Sequence, residues 1–303
     1  MSFKFNFAIL LIAIQAINTP AKAENKVEND PKNAVFCKNM ASHLPGVSQN
    51  LCLQANLVDT GARSVKGVPL LKRDVITPGD DPASPAKLKV MVVGGIHGDE
   101  LSSSALALNW IKLATQSPTN QAPGNAISNT PASFAGGIHW RFIPMLNPDG
   151  LTAQPAKRVN AHGVDLNRNF PTPNWARDAK IYWEQKTKKD PRRWPGPEPL
   201  SEPESKFLHD EMASFKPNLI VSIHAPYGVL DFDGPTVPPS KLGRLYLDQV
   251  GIFPGSFGNY GGVHKGMPVV TIELPNAQRT PLDSETRQMW VDLLRWMGEK
   301  VKP

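Results

Sequence analysis

Leu88-Lys89-Val90-Met91-Val92-Val93-Gly94-Gly95-Ile96-His97-Gly98-Asp99-Glu100 is the segment on which the architecture turns. Its nearly uninterrupted apolar run, stopped by two glycines, predicts a strand buried on both faces, as found inside parallel sheets. A helical stretch from about Leu101 to Leu113 follows, and the alternation then recurs. His139 to Met145 and Asn218 to Ile223 are strand candidates, as is Pro268-Val269-Val270-Thr271-Ile272. Ser201-Glu202-Pro203-Glu204 has capping-box spacing, with Leu208, Met212 and Phe215 continuing at helical intervals. Thr286, Trp290, Leu293 and Met297 share one face of a closing helix. Upstream, residues 53–76 alternate in short β-like pieces around Thr60-Gly61 and Lys66-Gly67-Val68-Pro69, which predicts an opening strand pair. The expectation is an α/β fold: a single domain with a mixed, mostly parallel twisted β-sheet flanked by helices on both faces.

The N-terminal segment carries an expectation of where the chain works. Lys4, a mostly apolar run from Phe5 to Ile17 and then Ala21-Lys22-Ala23 have the order of a secretory signal peptide, residues 1–23. The run is too short for a membrane span, so no integral membrane segment is expected after cleavage. Residues 24–56 are expected to form an N-terminal extension. There Cys37 and Cys52 form a disulfide if the chain reaches an oxidising compartment. Residues 57–303 are left for the catalytic domain. The formal charge is +6, and Lys4 and Lys22 leave with the signal, so the excess is mild. Its densest part, Lys186, Lys188, Lys189, Arg192 and Arg193, is expected to be a solvated loop. Nothing resembles a nucleic-acid module.

His97 and Glu100 follow one predicted strand, His224 caps another and Glu273 closes a third. In open α/β sheets ligands gather beyond the carboxyl ends of the strands, so these distant residues can converge. Alone, His-x-x-Glu is a common chance pattern, His224 an ordinary strand-end histidine and Glu273 an ion-pair partner. Together, two imidazoles and a carboxylate make a catalytic zinc set with one open position. Glu273, ending an otherwise apolar strand, is the candidate proton acceptor.

Five motifs in order add a resemblance: Gly95-Ile96-His97-Gly98-Asp99-Glu100, Asn147-Pro148-Asp149-Gly150, Gly163-Val164-Asp165-Leu166-Asn167-Arg168-Asn169-Phe170, Ser222-Ile223-His224 and Thr271-Ile272-Glu273-Leu274. The chain resembles the zinc carboxypeptidase family over about residues 57 to 300, and is most similar to its murein-peptide amidase subgroup. The resemblance implies that His97, Glu100 and His224 bind one Zn2+ ion and that Glu273 is the general base. It further implies that Asn167 and Arg168 hold the substrate's terminal carboxylate, that Arg158 polarises the scissile carbonyl and that Tyr260 covers the substrate.

The implied function is a periplasmic hydrolase of peptidoglycan stem peptides, cutting γ-D-glutamyl-meso-diaminopimelate. A general carboxypeptidase and, more distantly, an amino-acid deacylase share the chemistry. A wall-binding or zinc-binding protein without turnover is the reading from another class, but it has no use for Glu273.

Overall fold

The computed structural model describes residues 31–77, 84–116 and 137–303, with Met1, Gly79 and Asp81. The expected leader beyond Met1 and residues 117–136 of the long polar loop lie outside the described residues.

Seven strands form one sheet in the order β1-β2-β4-β3-β5-β9-β6. They are β1 (Val58–Arg63), β2 (Pro69–Thr77), β3 (Leu88–Val93), β4 (Ile138–Ile143), β5 (Leu219–His224), β6 (Val229–Asp233) and β9 (Val269–Glu273). The short strands β7 (Lys241–Leu242) and β8 (Leu245–Tyr246) pair separately. The central strands β4, β3, β5 and β9 are parallel, while β1, β2 and β6 run antiparallel to their neighbours at the two edges. The helices are α1 (Pro31–His43), α2 (Gln49–Gln54), α3 (Leu101–Thr115), α4 (Pro148–Leu151), α5 (Trp175–Ile181), α6 (Pro203–Phe215) and α7 (Asp283–Lys300).

The apolar run of β3 explains the layering. Successive strand residues point to opposite faces, and Val90 and Val92 join a core shared with α1, α2, α3 and α7. Met91 and Val93 join the other core, built against α6 and containing Phe207, Leu208, Met212 and Phe215. Each such side chain, fully buried, contributes about 1.5–3 kcal/mol. A strand with a polar face would leave one of the two layers without a floor. Cys37 on α1 and Cys52 on α2 are joined by a disulfide. Closing a loop of 15 residues in this way contributes about 3 kcal/mol in the chain-entropy model. The expected N-terminal extension therefore packs into the same core as the catalytic body, through Phe36, Met40 and Leu44.

Two sequence expectations differ from the structure. The capping box before α6 does not form: the N-cap is Glu202, without a side-chain cap bond. Glu204 is instead buried, accepting from the Val65 amide and the Asn160 side chain. Tertiary partners have taken the carboxylate that local geometry would have used. Strand β6 and helix α1 were not expected. Val-Leu-Asp-Phe-Asp carries two acids in five residues, which reads as a turn until a neighbouring strand and a cleft are present to receive it.

Gly98 shows how tightly the loop after β3 is seated. A Cβ there would overlap the backbone of Gly150 and Leu151. Gly98→Ala is expected to displace the turn from His97 to Glu100, to cost about 1–3 kcal/mol through overpacking and to weaken metal binding. Thermal denaturation and zinc titration measure both; an unchanged Tm with unchanged affinity would contradict this packing.

Candidate metal centre and cleft

Parallel strands β3, β5 and β9 present their carboxyl ends along one edge. His224 is the last residue of β5 and Glu273 the last of β9, and the two are register partners. Beyond Val93 the chain turns through Gly95, whose φ of +63° favours glycine, and carries His97 to the same edge. Glu100 follows as the N-cap residue of α3.

His97, Glu100 and His224 are all buried, and each offers a ligand atom within 4.8 Å of the others. His97 Nε2 lies 3.1 Å from Asp165 Oδ1, a carboxylate oxygen that can only accept. In the neutral ring the proton therefore sits on Nε2, and Nδ1 carries a lone pair. That Nδ1 is 2.7 Å from Glu100 Oε1 and 3.2 Å from His224 Nδ1. His224 Nδ1 is also 3.1 Å from Glu100 Oε2, while its Nε2 lies 3.0 Å from Ser222 Oγ. Electron-pair donors aimed at one another in a dry site repel unless a cation stands among them. Two imidazole nitrogens and one carboxylate, with Asp165 fixing the His97 tautomer from behind, fit a zinc ion.

Protonation follows the same logic. Burial and Arg158 push His97 down, yet Glu100 and Asp165 outweigh them and hold the imidazole above its ordinary value. Burial pushes Glu100 up, but His97 and His224 hold it well below the usual carboxylate range. A proton and a metal thus compete for His97. Zinc affinity is expected to weaken as pH falls through that raised pKa, because the proton must leave before Nδ1 can donate to a metal. Zinc titration across about pH 5 to 8 checks this, and a flat profile would contradict it.

The cleft beside the cluster is lined by Arg158, Asn167, Arg168, Asp231, Asp233 and Glu273, among others. Arg158 donates through Nε to Asp165 Oδ2 at 3.1 Å, and its Nη1 is 3.4 Å from Glu100 Oε1. Asn167 Oδ1 accepts from the Phe257 amide at 2.8 Å, which fixes the carboxamide in one orientation. The Arg168 guanidinium lies over the Phe253 ring at 4.6 Å and donates from Nη1 to the Asn167 carbonyl, while its buried Nε has no partner. Burial lowers its pKa, only partly offset by Asp165. Glu273 is raised by burial, and its Oε2 is buried with no hydrogen-bond partner.

The sequence matches the zinc carboxypeptidase family over residues 54–231. The chain belongs to the zinc carboxypeptidase family. It is 28% identical to murein peptide amidase A of Escherichia coli (strain K12) over 213 residues, covering 68% of this chain and 79% of the relative. Among solved structures it is similar to the murein-tripeptide amidase of Escherichia coli O157, at 27% identity and a TM-score of 0.52, covering 79% of this chain and 92% of the other. The fold is also shared with thrombin activatable fibrinolysis inhibitor, at 17% identity and a TM-score of 0.57, over 88% of this chain and 70% of that one. Membership makes the chain a metal-dependent hydrolase of the carboxypeptidase and amidase class, and the family is zinc-dependent. The matched stretch ends before Glu273, whose place rests on the register with His224.

The structure gathers seven of the eight expected residues of this family member around one cleft: His97, Glu100, Arg158, Asn167, Arg168, His224 and Glu273. Tyr260 is the exception. The π-helical turn Asn259–His264 buries its ring, 3% exposed, against Phe170 and His209. Gly262 is the reason: a Cβ there would overlap Asp233, so the turn presses on β6 and Tyr260 is carried into the core. The expectation that Tyr260 covers the substrate is corrected, and the aromatic side chain exposed at the cleft is Tyr227. The basic run after α5 is solvent-exposed at Lys186, Lys188, Lys189 and Arg192, as expected; Arg192 makes a surface pair with Asp99 at 2.8 Å, and half-buried Arg193 lines the cleft. His139, His162 and His209 pair with Asp74, Glu202 and Asp210 and do not line the cleft. Sequence reading missed Asp231 and Asp233; the alternation of Val229-Leu230-Asp231-Phe232-Asp233 was the signal that held them.

Proposed function

We propose that the protein hydrolyses the amide bond next to a terminal residue bearing a free carboxylate, and that its natural substrates are peptidoglycan stem peptides cut at γ-D-glutamyl-meso-diaminopimelate. The observation that carries this is the pairing of a converging donor triad with an unpartnered Arg168 Nε in the same cleft. Relatives named as murein peptide amidases support the choice of wall peptides.

His97, Glu100 and His224 hold one zinc ion. When bound, zinc supplies Lewis acidity and makes water a stronger nucleophile near neutral pH. Arg168 and Asn167 grip the terminal carboxylate through guanidinium and carboxamide donors, which selects chain ends and fixes the scissile bond. Arg158, held by Asp165, offers its guanidinium to the carbonyl oxygen where negative charge develops. Glu273 accepts a proton from the attacking water and delivers it to the leaving nitrogen. Its burial suits both halves, because a raised carboxylate pKa lowers the cost of holding a proton in transit. Export to the periplasm follows from the pattern of residues 1–23. Among the described residues no helix is long and apolar enough to cross a membrane.

Zinc-loaded protein incubated with murein tripeptides, with hippuryl peptides and with acyl-amino acids tests this reading. Release of diaminopimelate in preference to the simpler products is expected. Cleavage confined to hippuryl peptides would make the protein a general carboxypeptidase, and cleavage confined to acyl-amino acids would make it a deacylase.

A further inference from the structure

The cleft carries one guanidinium that the mechanism above does not use. Arg168 is assigned there to the terminal carboxylate and Arg158 to the carbonyl oxygen, while Arg193 lines the same cleft without a part in either step. Arg193 ends the 3-10 turn Pro191–Arg193, and the chain is tied down on both sides of it. Just before it, Arg192 pairs at 2.8 Å with Asp99, the neighbour of Glu100 in the metal-ligand turn. Just after it, the Trp194 carbonyl accepts from the Asp165 amide at 2.8 Å, and the Pro195 carbonyl accepts from Asn169 Nδ2 at 2.8 Å. Asp165 and Asn169 flank Asn167 and Arg168 in sequence. Arg193 is therefore seated between the turn that carries the metal ligands and the pair assigned to the chain end.

The protein answers this charge poorly. Among the described residues the carboxylate within ion-pair distance of Arg193 is Asp190, whose Oδ2 is 3.7 Å from Nε, too far for a hydrogen bond. The other oxygen of Asp190 accepts from the Arg192 amide. Arg158 differs, because Asp165 and Glu100 both stand against it. Arg168 feels the crowding: burial, Arg158 and Arg193 push its pKa down, against Asp165 and Tyr182. Two guanidiniums that repel each other across one cleft both gain when two anions enter it. A terminal carboxylate supplies the first of these.

We propose that Arg193 determines specificity by binding a second carboxylate, carried by the residue on the acyl side of the bond that is cut. This rests on the terminal-carboxylate peptidase reading above and narrows its substrate class. The leaving residue's carboxylate is taken by Arg168 and Asn167, and a cation between that pair and the metal turn faces the residue preceding the cut bond. A γ-linked glutamyl residue supplies the anion by its own chemistry: the γ-carboxyl forms the amide, so the α-carboxyl stays free a short aliphatic stem away. Guanidinium donors can grip that carboxylate in bidentate fashion, whereas a carboxamide in its place brings no charge.

The test compares kcat/KM of zinc-loaded enzyme on two murein tripeptides that differ only at the glutamyl residue, whose α-carboxyl is free in one and a carboxamide in the other. Wild type is expected to favour the free carboxylate about tenfold, the lower end of what a hydrogen bond to a charged group is worth, because the Arg193 side chain is 34% exposed. In Arg193→Met the two peptides should be cut at nearly equal kcat/KM. Both are read on one preparation, so partial misfolding cancels in the ratio. Lys188→Met removes a charge from the same basic run but outside the cleft, and should keep the preference. A wild type without the preference, an Arg193→Met variant that retains it, or a Lys188→Met variant that loses it overturns the proposal. A wild type that cuts neither tripeptide overturns the wall-peptide reading beneath it, and the proposal with it.

Discussion

Glu273→Gln is expected to keep its metal and to lose about 10²- to 10⁴-fold in kcat, the usual worth of a positioned acid-base group. The donors that converge on one point are His97, Glu100 and His224, and Glu273 is outside that set. Glutamine has the same shape and still fits beside His224, but it cannot take a proton and pass it on. Metal content by atomic absorption and steady-state hydrolysis of a tripeptide measure the two halves. Unchanged turnover would remove Glu273 from the chemistry, and lost metal would make it a ligand.

Arg168→Met is expected to strike binding of the chain end instead. Methionine retains an apolar stem against the Phe253 ring, so the cleft wall survives. What disappears is the cation that would meet a terminal carboxylate, and truncating one partner of a buried charge pair costs about 2–5 kcal/mol, roughly 30-fold or more in kcat/KM. The same peptide with an amidated end should be cut slowly and equally by wild type and variant. A variant that loses activity on both peptides in parallel would show that Arg168 holds the fold and not the substrate.

How much of this was legible in the sequence depended on whether a residue's role was written locally. Leu88 to Val93 announced itself because a strand covered on both faces must be apolar throughout, and β3 is that strand. His97, Glu100, His224 and Glu273 were readable because strand ends are where α/β sheets gather function. The family motifs then supplied Asn167 and Arg168, and the wider resemblance, outside any motif, supplied Arg158. Tyr260 failed for a physical reason: glycines around an aromatic suggest a mobile turn, whereas here they bring the turn hard against Asp233 and turn the ring inward. Asp231 and Asp233 were missed because two acids in five residues read as a turn, and the alternation that marks a strand gains its meaning only once β9 pairs with it and a cleft forms in front. Asp165 lay within a quoted motif, but its double hold on His97 and Arg158 appears only once the three segments meet.

Anomalous diffraction at the zinc edge, on crystals grown from zinc-loaded protein, bears most directly on the centre of this account. A single strong peak bonded to His97 Nδ1, a Glu100 oxygen and His224 Nδ1 at about 2.0–2.2 Å, with Glu273 beside it and unbonded, is the expected result. A peak elsewhere in the molecule, or none while all three side chains remain ordered, would contradict it.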